Sequence, residues 1–204
     1  CGELTRSQAL GLDGIVSLGV PGQTAGGPIS GFNEHDRMVM GLLRAAADVV
    51  IVGNAVRRDN PEAVETERLG LPRLSMPEAL ARFFLADRQP LVVAGTHGKT
   101  TTSAMAAKVW SEGGRDPGFL IGGVPIDLGV SFRCGSGPRF VIEGDEYNAA
   151  YFDRGAQFLH YRPEPLILTS VEHDHADLYP TPESLLAAYS RLIALVPESG
   201  LIVA

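Results

Sequence analysis

Apolar positions along the 204-residue chain fall into short, nearly continuous runs, separated by longer stretches where they recur at helical spacing. The runs are rich in β-branched residues, as buried strands are: Ala47–Gly53, Pro90–Gly95, Arg139–Glu143, Pro165–Thr169, and a fifth from Gly200 to Ala204. Helical spacing covers Arg37–Ala47, with Met38, Met40, Leu42 and Leu43 as core candidates. It returns over Met76–Ala86, where Ser75 is the N-cap and Pro77 and Glu78 occupy the first turn. Thr100–Glu112 ends at Gly113-Gly114, a C-cap signal, and Pro182–Val196 follows Thr181 as cap. Strands apolar throughout, alternating with helices, predict an α/β fold: a parallel sheet with helices on both faces. Turn signals at Asn60-Pro61, Gly70-Leu71-Pro72 and Gln89-Pro90 predict a change of domain near Asp87. That divides the chain into a small N-terminal α/β segment over 1–86 and a larger domain over 87–204.

Composition narrows the function classes. With 45% hydrophobic and 20% charged residues the chain has the make-up of a folded protein. Seventeen Lys+Arg against 24 Asp+Glu give a net charge of −7, so no broad basic field invites nucleic acid. An anionic ligand therefore requires a local cluster of donors. No apolar run reaches the ~18–20 residues of a membrane span. Two cysteines, Cys1 and Cys134, make neither a disulfide framework nor a zinc set, which predicts a cytoplasmic setting.

The chemistry concentrates in Gly95-Thr96-His97-Gly98-Lys99-Thr100-Thr101-Thr102, directly after one strand and directly before a helix. Glycines let backbone N–H groups turn inward and approach phosphates with no Cβ in the way. The helix starting near Thr100 adds its positive end and unpaired N–H donors. Lys99 brings a full charge to β/γ oxygens, and the Thr100 hydroxyl can ligate Mg²⁺. Two residues separate the glycines, where the usual G-x-x-x-x-G-K-[ST] loop has four. Nothing in the loop reads the base, so ATP and GTP stay equally open at this point.

Two strand ends supply partners for the metal. Glu143 closes the third strand, followed by Gly144-Asp145-Glu146, and ligands of parallel sheets sit beyond the carboxyl ends of strands. A carboxylate there can hold Mg²⁺ opposite Thr100. The fourth strand runs into Glu172-His173-Asp174-His175-Ala176-Asp177, from which His175 or Asp174 can reach the metal or a γ-phosphate. Zinc is the weaker reading, because a third nitrogen or sulfur ligand is missing. His97, inside the loop, contacts substrate or caps a turn.

From about Ile51 onward these segments resemble the Mur ligase family of peptidoglycan synthesis. The loop Ala94–Thr102 is similar to that of the branch acting on UDP-N-acetylmuramate. Gly53–Glu62, Gly118–Gly123, Val141–Tyr147 and His160–Pro163 are similar to the murein-tripeptide recycling members. The resemblance implies ATP and Mg²⁺ as cofactors, and UDP-N-acetylmuramate and a murein peptide as substrates. It implies that the muramate carboxylate is phosphorylated and that the peptide amine then displaces phosphate to form an amide. Lys99 would stabilise the transferring phosphoryl group, Thr100 and Glu143 would hold one Mg²⁺, and His175 would serve a second metal position. Ser170 stands where the family usually has Asn. The chain has two lysines, Lys99 and Lys108, so the carbamylated metal-bridging lysine of some sister ligases has no counterpart, as expected of the muramate-adding branch. The resemblance places Ala204 inside the central domain, ahead of its remaining strands and the C-terminal domain that positions the amine.

Residues 1–53 resemble something else. Gly11–Ser17, Gly26–Gly31 and Asp36–Gly53 are similar to the start of the NADPH-dependent reductase domain of riboflavin biosynthesis. Three readings follow: an ATP-dependent amide-forming ligase, an NADPH-dependent reductase, and a nucleotide-binding module without turnover. Oligomeric state is not legible in the sequence.

Overall fold

In the computed structural model, the described residues are 15–18, 43 and 47–204. They form two compact units, one holding those up to Ala79 together with Ala149–Arg154, the other Leu80–Asn148 and Gly155–Ala204. The division falls at Ala79–Leu80 instead of Asp87, for a packing reason: Leu80 and Leu85 are buried in the core of the second unit.

The first unit is built on a parallel sheet of β1 (Ile15–Leu18), β2 (Val49–Val52) and β3 (Arg73–Ser75), in that order. Val50 and Val52 pack with Leu43, Val56 and Ala63. Asn60-Pro61, read from sequence as a turn, instead starts helix α1 (Pro61–Arg68): the Asn60 side chain accepts from the Glu62 and Ala63 amides. Pro61 suits that first turn because its missing N–H would have had no helical partner. Leu43 is helical and buried; the rest of the expected Arg37–Ala47 helix up to Ala46 lies outside the described residues. So do the reductase-like stretches, apart from β1 and the part from Ala47 onward.

The second unit opens with the end of α2 (Met76–Leu80), a helix that passes at Ala81 into a π-helical turn reaching Leu85. Then come β4 (Gln89–Ala94), α3 (Lys99–Glu112), β5 (Gly118–Leu120), β6 (Phe132–Arg133) and β7 (Arg139–Gly144). A short ribbon of β8 (Asn148–Ala150) and β9 (Asp153–Ala156), whose Ala149–Arg154 stretch belongs to the first unit, comes before β10 (Pro165–Leu168), α4 (Pro182–Ile193) and β11 (Leu201–Val203). The six-stranded sheet runs β11-β10-β4-β7-β5-β6, parallel except for the β5–β6 pair. The observed strands β2, β4, β7, β10 and β11 coincide with the apolar runs, whereas the three-residue or shorter β5 and β6 were too brief to show a period.

Alternation along β4 and β7 separates two cores. Val92, Ala94, Phe140 and Ile142 face a cluster completed by Phe158 and by Leu185, Ala188, Tyr189 and Leu192 of α4. Leu91, Val93 and Val141 face Ala107 of α3, Phe119 and Ile121. Helices thus cover both faces, as an apolar parallel sheet requires. Thr181 caps α4 in a reciprocal box with Ser184.

Leu192 is fully buried, whereas Leu186 on the same helix is exposed. Leu192→Ala is expected to lower unfolding free energy by about 2–5 kcal/mol, and Leu186→Ala by less than about 0.5 kcal/mol. Urea titration followed by circular dichroism measures both.

Candidate functional site

β4 lies between β7 and β10, and the chain leaves it toward one side of the sheet and returns later on the other. Such a reversal opens a crevice at the carboxyl ends of the strands. The turn Gly95–Gly98 sits there, and α3 begins at Lys99.

Hydrogen bonds tie this turn to the strand end beyond β10. The Thr96 amide donates to the Ser170 carbonyl (2.8 Å), the His97 amide to Ser170 Oγ (3.2 Å), and the Thr169 hydroxyl to the His97 carbonyl. Thr96 Oγ1 both donates to the Glu172 carbonyl and accepts from the Glu172 amide, each at 2.9 Å. Gly95 has φ 137°, and a Cβ there would meet the Thr169 hydroxyl and lie 2.7 Å from the Ser170 carbonyl oxygen. Gly98 has φ 80° but faces only the Thr169 side chain, at 3.8 Å or more. The expectation that amides from Thr96 onward face a ligand is therefore modified: those of Thr96 and His97 brace the loop. The first-turn amides of Lys99, Thr100 and Thr101 lack intrahelical carbonyls by helix geometry and carry the positive helix end.

Thr100 and Glu143 come together. Thr100 Oγ1 donates to Glu143 Oε2 at 3.2 Å, while the other oxygen, Oε1, accepts from the Gly122 amide at 3.0 Å. A hydroxyl and a carboxylate, hard oxygen donors held side by side at a helix start, suit Mg²⁺. Among the described residues no group of three or more His, Cys, Asp and Glu gathers as a metal cluster.

His175 joins a different carboxylate. Its Nε2 lies 3.4 Å from Glu146 Oε1, and its Nδ1 lies 3.2 Å from the Tyr147 hydroxyl. Glu146 Oε2 in turn pairs with Lys99 Nζ at 3.0 Å, and Lys99 also donates to the Gly95 carbonyl at 2.7 Å. Asp145 Oδ1 is 3.7 Å from the same ammonium. Glu146 is only 2% exposed and Lys99 13%. The Tyr179 hydroxyl donates to the Glu146 carbonyl at 2.6 Å. Burial first, then the neighbouring Glu146 charge, raises both Tyr147 and Tyr179 above the usual phenol value, so both remain donors. Glu146 is the residue that sequence reasoning missed. Its only trace was its place in the acidic triplet after β7, which does not say which member turns inward. His97 sits at the exposed edge of the loop, 4.0 Å from Glu172.

Comparison with known proteins places this arrangement. The Mur ligase middle domain matches residues 93–204. The chain is 44% identical over 161 residues to the Escherichia coli K12 UDP-N-acetylmuramate–L-alanyl-γ-D-glutamyl-meso-2,6-diaminoheptandioate ligase, covering 79% of this chain and 35% of that protein. It is 37% identical to the UDP-N-acetylmuramate–L-alanine ligase of Paenarthrobacter aurescens TC1, covering 97% of this chain and 46% of that protein. The crystal structure of the UDP-N-acetylmuramate:L-alanyl-γ-D-glutamyl-meso-diaminopimelate ligase of Neisseria meningitides superposes with TM-score 0.76 at 34% identity, over 98% of this chain and 66% of that one. The chain thus spans between a third and a half of the length of these curated relatives. Alignment reaching 97% of the chain brings the N-terminal stretch into the same comparison, and the reductase resemblance of residues 1–53 finds no support.

Gly95→Ala is expected to cost more stability than Gly98→Ala, because a methyl at Gly95 meets backbone that cannot yield. A left-handed alanine at Gly98 costs about 1–2 kcal/mol from its own conformation. Thermal melts of the two variants side by side measure the difference.

Proposed function

The chain belongs to the Mur ligase family, and on that premise we propose that its second unit holds ATP and Mg²⁺ for an ATP-dependent amide-forming ligase. The observation carrying this reading is the meeting, at the end of β4, of a glycine turn, a helix start and the Thr100–Glu143 pair at 3.2 Å. The acid partner is UDP-N-acetylmuramate, named for both relatives above, and the amine partner a murein peptide, as named for the Escherichia coli relative. The reaction falls in the cytoplasm, the setting expected from the two-cysteine composition.

Within this reading each residue has a physical task. The first-turn amides of α3 and the Lys99 ammonium neutralise β- and γ-phosphate charge, which is where phosphoryl transfer obtains most of its acceleration. Thr100 Oγ1 and Glu143 Oε2 hold Mg²⁺, and the Gly122 amide fixes the carboxylate by its other oxygen. Mg²⁺, when bound, supplies charge neutralisation between phosphate oxygens. Phosphorylation turns the muramate carboxylate into an acyl phosphate, from which the peptide amine displaces inorganic phosphate. His175, held by Glu146 and Tyr147, follows β10, and Glu143 lies on β7, the two strands that flank β4; to serve a second metal, His175 would have to offer the ion a bare Nε2 lone pair in place of its Glu146 contact. A nucleotide-binding module without turnover would share the first two tasks and none of the later ones.

Calorimetric titration of this chain is expected to detect ATP with Mg²⁺ and no NADPH; the reverse preference would defeat the reading. Lys99→Ala is expected to weaken ATP binding at least tenfold or so, the scale of losing one charged hydrogen bond. Glu143→Gln is expected to abolish the dependence of that binding on Mg²⁺. In the full-length gene product, phosphate release should require both UDP-N-acetylmuramate and the tripeptide.

A further inference from the structure

The least exposed carboxylate of the crevice has so far had no task beyond holding His175. Glu146 is 2% exposed, yet its two oxygens face two different strand ends: Oε2 takes the phosphate-loop lysine at 3.0 Å, and Oε1 faces His175 Nε2 at 3.4 Å. A buried carboxylate is strongly destabilised without partners, so both contacts have consequences. Lys99 has three N–H donors. One goes to the Gly95 carbonyl and one to Glu146, with Asp145 Oδ1 a further 3.7 Å neighbour. Two carboxylates therefore surround the one ammonium of the loop. Each is a rival of any phosphate oxygen for that ammonium.

We propose that Glu146 is a positioning residue whose carboxylate competes with triphosphate oxygens for Lys99, lowering nucleotide affinity while fixing the lysine and His175 on opposite sides of one group. This rests on the ATP-site reading given above, and extends it to a residue outside the tasks assigned there to phosphate and Mg²⁺. A partner serving only to hold the fold would, on removal, loosen the loop and weaken binding. A competitor does the opposite: its neutralisation strengthens binding, and only while the lysine is present. Gln at this position keeps the length and one acceptor oxygen of Glu146 while removing the charge, so it separates the two behaviours. The backbone on either side stays anchored independently, through the Tyr179 hydroxyl on the Glu146 carbonyl and the Phe158 amide on the Asp145 carbonyl.

The test is calorimetric titration of ATP with Mg²⁺ into this chain and into three variants. Glu146→Gln is expected to bind roughly tenfold more tightly than the parent, the scale of freeing the lysine from one charge-assisted hydrogen bond. The gain should disappear in the Lys99→Met background, where Glu146→Gln adds nothing. Should Glu146→Gln fail to fold, Glu146→Asp takes its place, since the shorter arm draws the charge away from Lys99; a smaller gain, again dependent on Lys99, is then expected. Unchanged or weaker binding in the folded variant, or an equal gain in the Lys99→Met background, would overturn the proposal while leaving the ATP site intact. Absence of ATP binding by the parent chain would remove the ATP-site reading itself, and this proposal with it.

Discussion

The phosphate-loop region depends on how closely the backbone leaving β4 approaches the backbone leaving β10. Thr96 and His97 spend their amides on Ser170, Thr169 caps the His97 carbonyl, and Glu172 closes on the Thr96 hydroxyl. This stitching is possible only because Gly95 has no Cβ: a methyl there would stand where Thr169 and Ser170 already are. Once the turn is fixed, α3 has to start at Lys99, and its first-turn amides, Lys99 and Thr100 are aimed by that start. Ser170 supplies through Oγ and its carbonyl the two acceptors the turn uses.

The second dependence is the order of strands. Because β4 has β7 on one side and β10 on the other, residues far apart in sequence converge on its end: Glu143 and Glu146 from one flank, Ser170 to His175 from the other. The two glutamates are three residues apart and have opposite surroundings. Glu143 meets Thr100 and the Gly122 amide, an oxygen-donor pair suited to a hard cation. Glu146 turns inward between a lysine and a histidine. Neighbouring carboxylates thereby take different electrostatic roles through the groups that reach them, not through any difference in their own chemistry.

A rigid frame is what makes such distances meaningful. The alternate residues of β4 and β7 feed two separate apolar cores, one closed by α4 and the other by α3. The helix that presents Lys99 and Thr100 is thus packed against the same strands that present Glu143, through Ala107 on one side and Val93 and Val141 on the other. Displacing one without the other would open a fully packed interior, and interiors of this density do not yield without cost.

The α/β class, the strands β2, β4, β7, β10 and β11, the caps of α2 and α4 and the glycine-lysine-threonine turn were all legible in the sequence, because each rests on local physics. Apolar runs bury themselves, Ser, Thr and Pro start helices, and glycine permits a turn. The pairing of Thr100 with Glu143 was legible too, since strand ends of a parallel sheet share one edge. What the sequence left open was contact between distant segments. That Glu146 and not Asp145 turns inward, that His175 meets Glu146 rather than Glu143, and that Thr96 and His97 brace the loop instead of presenting their amides are matters of distance between chain segments. Asn60-Pro61 carried both a turn and a helix-start signal, and only packing of Ala63 against Val50 and Val52 selected the helix. Local rules fix what each segment is; which side chains meet is set by the sheet order that brings the segments side by side.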